Sequence, residues 1–348
     1  VIGSKENLAN LEQFAKNMNR LADPRTTSAS EAKKLIASLP SSVWLEHGVH
    51  GNEISSTDAS MVTAYHLLAA TNQPMVKNIL DNTLVFIDPM QNPDGRMRFI
   101  NQYYATVGME HSTDRLSAEH NEPWPRGRSN HYLFDMNRDW LAITQPETKA
   151  RIRVINKYKP TVVIDLHEMG GDSSYFFVPA AQPINPHMQK EQLDNNVTIG
   201  KNNAKYFDQF GFSYYTREVF DAFYPGYGDS WPTFYGASAA TYEVASARGE
   251  QFEKLDGSIL QYRDTVQRHF VASMATAETT AEHREKILSD FYLYQQKAIE
   301  AGKDDDERTF ILPNVRDRAA THRLATLMAE HGVEVKQASE SFRACGER

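Results

Sequence analysis

Four short apolar runs, each rich in β-branched or aromatic residues, constrain this chain more than any other feature. They are Val43-Trp44-Leu45, Leu84-Val85-Phe86-Ile87, Thr161-Val162-Val163-Ile164 and Ala240-Thr241-Tyr242-Glu243-Val244. A half-exposed strand alternates apolar with polar residues, so continuous runs of this length read as strands covered on both faces. Between them, apolar residues at helical spacing predict helices over roughly 55–70, 74–81, 146–158, 189–210 and a long one from 250 to about 283. Strands alternating with helices imply an α/β fold: a mixed, mostly parallel central sheet flanked by helices on both faces.

Local punctuation agrees with this division. Pro146 and Glu147 suit a first helical turn, Gly211 suits the end of the 189–210 helix, and Asn92-Pro93-Asp94-Gly95 reads as a turn after the second strand. The polar segment Ala301–Arg308 resembles a linker. Beyond it, a strand at Thr309–Leu312, a helix over about 317–331 and Gly332-Val333-Glu334-Val335 suggest a short α/β extension. Residues 1–300 are thus expected to form one main domain, with 301–348 a linker and the start of an incomplete C-terminal segment. Val1-Ile2 reads as the end of a strand and the tail stops without a closing element, so the chain is expected to be part of a longer protein.

Composition excludes several function classes. The net charge is −8 and no basic stripe exists to neutralise phosphates, which argues against nucleic acid as a partner. No run approaches the ~20 apolar residues that span a bilayer. The single cysteine, Cys345, permits neither an intrachain disulfide nor a thiolate zinc site.

Polar residues cluster where the predicted strands end. His47-Gly48-Val49-His50-Gly51-Asn52-Glu53 follows the first run, Asp165-Leu166-His167-Glu168 follows the third, and Glu243 closes the fourth. Open α/β sheets bind ligands beyond the carboxyl ends of their strands, so these segments deliver His, Glu, His and Glu to one crevice. Catalytic zinc takes three nitrogen or oxygen ligands and leaves a position for water. His50 and Glu53, three residues apart, can serve one ion, with His167 as third ligand from another strand. Gly48 and Gly51 let backbone come close. A His-x-x-Glu match alone means little, because an exposed polar turn produces it by chance.

The order of motifs is more specific. His50-Gly51-Asn52-Glu53, Asn92-Pro93-Asp94-Gly95, Phe134-Asp135-Met136-Asn137-Arg138-Asp139-Trp140, Asp165-Leu166-His167 and Thr241-Tyr242-Glu243 resemble, in sequence and spacing, the zinc carboxypeptidases of the carboxypeptidase A/B type, over about residues 40–250. The long bacterial members with extra C-terminal sequence look closest.

The resemblance implies one zinc per chain on His50, Glu53 and His167, with Glu243 as general base and acid. It implies Asp135 as the carboxylate that orients His50, and Asn137 with Arg138 as a clamp for a terminal carboxylate. Arg126 and Arg128 are both candidates to stabilise an oxyanion, Arg128 being preferred as nearer Asn137. Tyr224 and Tyr227 are candidates for a mobile tyrosine, with the alignment favouring Tyr224. Asp229, two residues before Trp231, falls where the family sets side-chain preference, and a carboxylate there favours Lys or Arg. The implied substrates are peptide or protein C-termini, and the implied location is periplasmic or secreted. A related zinc deacylase of N-acyl amino acids, an endopeptidase or peptidoglycan amidase on the same scaffold, and a non-catalytic zinc-binding relative are the competing readings. His47 is expected to be structural, Glu168 to point away from His167 by strand alternation, and His111, His120 and His131 to lie in a long polar loop rimming the cleft.

Overall fold

A computed structural model describes residues 1–307, 309–313, 316–340 and 342–343. Cys345 and the end of the tail lie outside the described residues, as does Arg308 of the expected linker. The chain opens with α1 (Lys5–Ala9), α2 (Leu11–Leu21) and α3 (Ala29–Ser38), none of which the apolar spacing singled out. Capping chemistry could have: Ser28 and Glu31 form a reciprocal capping box at the start of α3.

The α/β body follows in order: β1 (Ser41–His47), α4 (Ser55–Ala69), α5 (Pro74–Asn82), β2 (Thr83–Asp88), α6 (Pro93–Thr106), α7 (Pro146–Tyr158), β3 (Val162–Met169) and β4 (Tyr175–Phe176). Then come β5 (Ala181–Ile184), α8 (Lys190–Phe210), β6 (Asp221–Ala222), β7 (Ser238–Ala245), β8 (Gln251–Glu253), β9 (Ile259–Gln261), α9 (Tyr262–Glu282), α10 (Arg284–Asp304) and α11 (Arg318–Glu330).

Five strands form the central sheet in the order β2-β1-β3-β7-β4, parallel throughout except for the antiparallel edge strand β4. Alternation along the strands sorts two cores. Val43, Leu45, Val85, Val162, Ile164, Leu166, Tyr242 and Val244 pack on one face with residues of α4, α5, α8 and α9. Trp44, Leu84, Phe86, Val163 and Ala239 pack on the other with residues of α2, α3, α7 and α10. Side chains alternate with period two, so Glu46, Asp165, His167, Thr241 and Glu243 belong to the second face, at its carboxyl-end rim. The sheet is therefore apolar over most of its height and charged where the strands run out.

Three expectations need correction. The helix predicted from 250 begins only at Tyr262, because residues 251–261 turn back as the β8–β9 hairpin with Gly257 in the left-handed region (φ 80°). Asn92-Pro93-Asp94-Gly95 is the start of a helix, with Asn92 as N-cap accepting from the Gly95 N–H at 2.9 Å. Among the described residues, 309–312 and 332–335 pair with no strand, and Phe310 and Val333 are exposed. The expected helix is present as α11, held to the body by polar contacts. Glu330 pairs with Arg153 and Lys149, and Trp231 Nε1 donates to His331 Nδ1 at 2.9 Å. Among the described residues, no helix is long and apolar enough to cross a membrane.

Candidate active site

β1 ends at His47, and the following Gly48 takes φ 68°, which turns the backbone so that His50 and Glu53 face back over the sheet rim. Gly51 serves a different purpose from the expected approach to a metal. A Cβ there would lie 2.1 Å from the Arg96 nitrogen, so its bareness admits the first turn of α6. Asn92 then ties the site together: its Nδ2 donates to the carbonyls of Val49 at 3.1 Å and Arg128 at 3.0 Å.

Donor atoms of His50, Glu53 and His167 all lie within 4.8 Å of one another. His50 Nδ1 is 2.6 Å from Glu53 Oε1 and His167 Nδ1 is 2.9 Å from Glu53 Oε2. The opposite ring nitrogens face carboxylates, with His50 Nε2 3.0 Å from Asp135 Oδ1 and His167 Nε2 2.8 Å from Asp165 Oδ2. Asp135 claims the Nε2 hydrogen of His50 and leaves its Nδ1 as the lone-pair atom turned inward, while Asp165 stands against His167 Nε2 as a charged neighbour. Two imidazoles and one carboxylate, with both imidazoles backed by carboxylates, are the donor set and support of a catalytic zinc. Burial alone would push Glu53 up, but the facing imidazoles hold it well below the usual carboxylate range. Burial likewise opposes charge on His167, yet Asp165 and Glu53 raise it well above its ordinary value.

Asp135 is fixed by two further groups. It accepts from Arg128 Nε at 2.9 Å through Oδ2 and from the Asn137 N–H at 3.0 Å through Oδ1, and it caps the short helical turn Met136–Arg138. Desolvation opposes its charge, but His50 and Arg128 hold it well below the ordinary carboxylate value. Asp165 was not singled out from the sequence, although the signal existed: residue i−2 from a strand histidine shares its face. Glu46 stands opposite Asp165 in register and is buried; desolvation first, and the Asp165 charge second, hold it well above the usual range.

Glu243 is paired in register with His167 on the adjacent strand, about 4.8 Å away between backbones. It is buried, and desolvation pushes its carboxyl up to about 8 despite the opposing charge of His167. Glu168 turns to the other face, as expected, where it accepts from the Ser55 N–H and from Ser246 Oγ.

The two arginine candidates separate cleanly. Arg128 Nη1 lies 3.4 Å from Glu53 Oε1 and 3.3 Å from His50 Nδ1, inside the site. Arg126 is exposed and lines a separate cavity with Arg98, Glu122 and Trp124. Asn137 is buried against His167, its Nδ2 3.1 Å from Nε2, and its Oδ1 accepts from the Gly228 N–H at 2.8 Å. Its amide therefore anchors the 224–229 loop as well as facing the site. Arg138 is exposed, with its guanidinium 4.5 Å from the Tyr227 ring centroid. The rings of Tyr224 and Tyr227 touch edge to face at 4.9 Å.

Asp229 is buried at a cavity of about 110 Å³ whose wall includes Phe176, Ala240, Thr241, Asp221 and Arg217. Burial first, and the charge of Asp165 second, push its carboxyl up to about 7. Of the loop histidines, His111 and His120 are tied to the body, through Tyr103 Oη and through the carbonyls of Ser112 and Arg248. His131 is exposed.

Residues 30–252 match the family model described as zinc carboxypeptidase. Carboxypeptidase 2 of Trichophyton rubrum is 31% identical over 159 residues, which cover 44% of this chain and 24% of that protein. Carboxypeptidase D of Mus musculus is 28% identical over 159 residues, covering 45% of this chain and 10% of that protein. A solved metallo-carboxypeptidase from Pseudomonas aeruginosa, in complex with (2-guanidinoethylmercapto)succinic acid, aligns over 71% of this chain and 58% of that one. Its TM-score is 0.51 at 14% identity, a likeness of fold. The chain thus spans about a quarter of the length of the fungal relative and less than two thirds of the bacterial structure.

Proposed function

This chain belongs to the zinc carboxypeptidase family, and on that premise we propose that it hydrolyses the last peptide bond of peptides or proteins bearing a free C-terminal carboxylate. The observation that carries the reading is the convergence of His50, Glu53 and His167 within 4.8 Å, with Glu243 next to His167 in register. Zinc held by those three residues supplies Lewis acidity, which acidifies water and polarises a carbonyl.

The chain's own residues do the rest. Glu243 takes a proton from the attacking water and returns it to the departing amine. Asp135 keeps the hydrogen of His50 on Nε2, and the Asp165 charge stands against the His167 ring. Arg128 presents fixed positive charge to an oxyanion, and Arg138, seated on Tyr227 beside Asn137, offers a planar fork to the terminal carboxylate. Tyr224, on the glycine-bearing loop, closes over that carboxylate. Asp229, with Asp221 near it, favours Arg or Lys in the cavity; Arg217 in the same wall moderates the preference. The guanidino group on the ligand of the Pseudomonas aeruginosa relative agrees with a basic preference. Residues 1–300 are read as the catalytic unit and 301–348 as an appended segment, and the enzyme as periplasmic or secreted.

The test is hydrolysis of blocked dipeptides ending in Lys, Arg, Leu, Phe or Glu, beside N-acyl amino acids, by wild type and Glu243→Gln. Cleavage of free-carboxylate peptides by the wild type alone is expected. Cleavage confined to N-acyl amino acids would assign a deacylase instead.

A further inference from the structure

Tyr215 enters the site from beyond the sheet edge. His167 pairs with Glu243, Glu243 with Phe176, and Phe176 with Tyr215, so these four residues stand in one row across β3, β7, β4 and the flanking segment. Residues paired this way project to the same face. The Tyr215 ring leans on Phe176, 5.5 Å between centroids, and its hydroxyl donates to Met169 Sδ at 3.1 Å. Met169 belongs to β3, two residues after His167 and in register with Ala245. From the Tyr215 segment to β3 is three strand spacings, about 14 Å. A contact across that span puts the phenol and the thioether over β7, beside Glu243. Burial first, and the Glu243 charge second, push the phenol above its ordinary value, in keeping with that closeness.

The direction matters. The cavity holding Asp229 is walled by Ala239, Ala240 and Thr241, on the amino side of Glu243 along β7. The Tyr215 hydroxyl lies on the carboxyl side, level with Ala245. A peptide with its last side chain in the cavity and its scissile bond at Glu243 must lead its preceding residues past Tyr215.

We propose that Tyr215 is a substrate-binding residue whose hydroxyl leaves Met169 and donates to a backbone carbonyl of the peptide on the amino side of the scissile bond. A thioether sulfur is a weak acceptor and a peptide carbonyl a strong one, so the exchange runs downhill. The inference rests on the carboxypeptidase reading and extends it to residues before the last.

The experiment uses the full chain loaded with zinc, in the Glu243→Gln background so that peptides bind without turnover. Calorimetry measures acetyl-Ala-Ala-Arg and acetyl-Ala-Ala-Leu against acetyl-Arg and acetyl-Leu, which lack the preceding residues. Adding Tyr215→Phe removes one hydroxyl and keeps the ring packing. It is expected to weaken the tripeptides about five- to tenfold, the value of one hydrogen bond, and to leave the acetyl amino acids within about twofold. Met169→Leu, which frees the hydroxyl, is expected to bind tripeptides at least as tightly as its parent. Unchanged tripeptide binding in Tyr215→Phe, or equal weakening of both ligand classes, would overturn the inference alone. Failure of the Glu243→Gln parent to bind any of the four ligands would overturn the carboxypeptidase reading, and this inference with it.

Discussion

Asp165→Asn isolates the least expected part of the site. Asp165 faces His167 Nε2 at 2.8 Å with its side chain 1% exposed, so little solvent screens the pair. The substitution keeps the shape but turns a charge-assisted contact into a neutral one. On the scale of hydrogen bonds, contacts to charged groups contribute about 1.5–3 kcal/mol against about 1 for neutral ones, a difference of about 0.5–2 kcal/mol. That amounts to about two- to thirtyfold in zinc affinity, overlapping the lower part of the 10–100-fold typical of carboxylates backing a metal-bound histidine. Asp135→Asn has the same chemistry at His50, but that side chain is 26% exposed and shares its charge with Arg128, so it should lose less. Glu168→Gln, buried nearby but bonded to Ser55 and Ser246, is the control and should stay within about twofold of the wild type. Competition with a chromophoric zinc chelator reads all three. An Asp165→Asn affinity within about twofold of wild type, or a larger loss in Asp135→Asn, would refute the reasoning.

Arg138→Ala should lower kcat/KM on free-carboxylate peptides about 10–100-fold, from loss of a charge-assisted clamp, while zinc content stays at wild-type level; steady-state kinetics with metal analysis checks it. Glu243→Gln should lower kcat by about 10²–10⁴-fold with zinc retained, as expected for a lost general base. Asp229, raised to about 7, is charged above that pH and neutral below it. The ratio of kcat/KM for Arg-ending over Leu-ending peptides should therefore fall as pH drops through 7, and a flat ratio between pH 5.5 and 8.5, bounds set about 1.5 units around that value, would count against the assignment.

The convergence of His50, Glu53 and His167 was legible because each sits where a buried apolar run meets polar residues, and a parallel sheet gathers such ends on one edge. Four of the five central strands were legible for the same reason, since burial on both faces leaves an unmistakable run of apolar residues. Asp165 and Glu46 escaped notice because their meaning lies in register: only the β1–β3 pairing sets one beside the other. Asn92 looked like a turn residue and is a helix cap whose amide reaches two loops, 43 and 36 residues away along the chain. The β8–β9 hairpin was hidden by the strong helical spacing of α9 just after it. Arg126 and Arg128 have the same neighbours in sequence, and only the path of the loop sends one to Asp135 and the other to the outer cavity.

The central claim is that His50, Glu53 and His167 hold a single zinc ion. The direct measurement is metal content by plasma mass spectrometry, after zinc loading and gel filtration, of wild type, Glu243→Gln and His167→Ala. One zinc per chain is expected in the first two and loss of it in His167→Ala, because two of the three donors leave the ion under-coordinated. No zinc in the wild type, or a full complement in His167→Ala, would contradict the account.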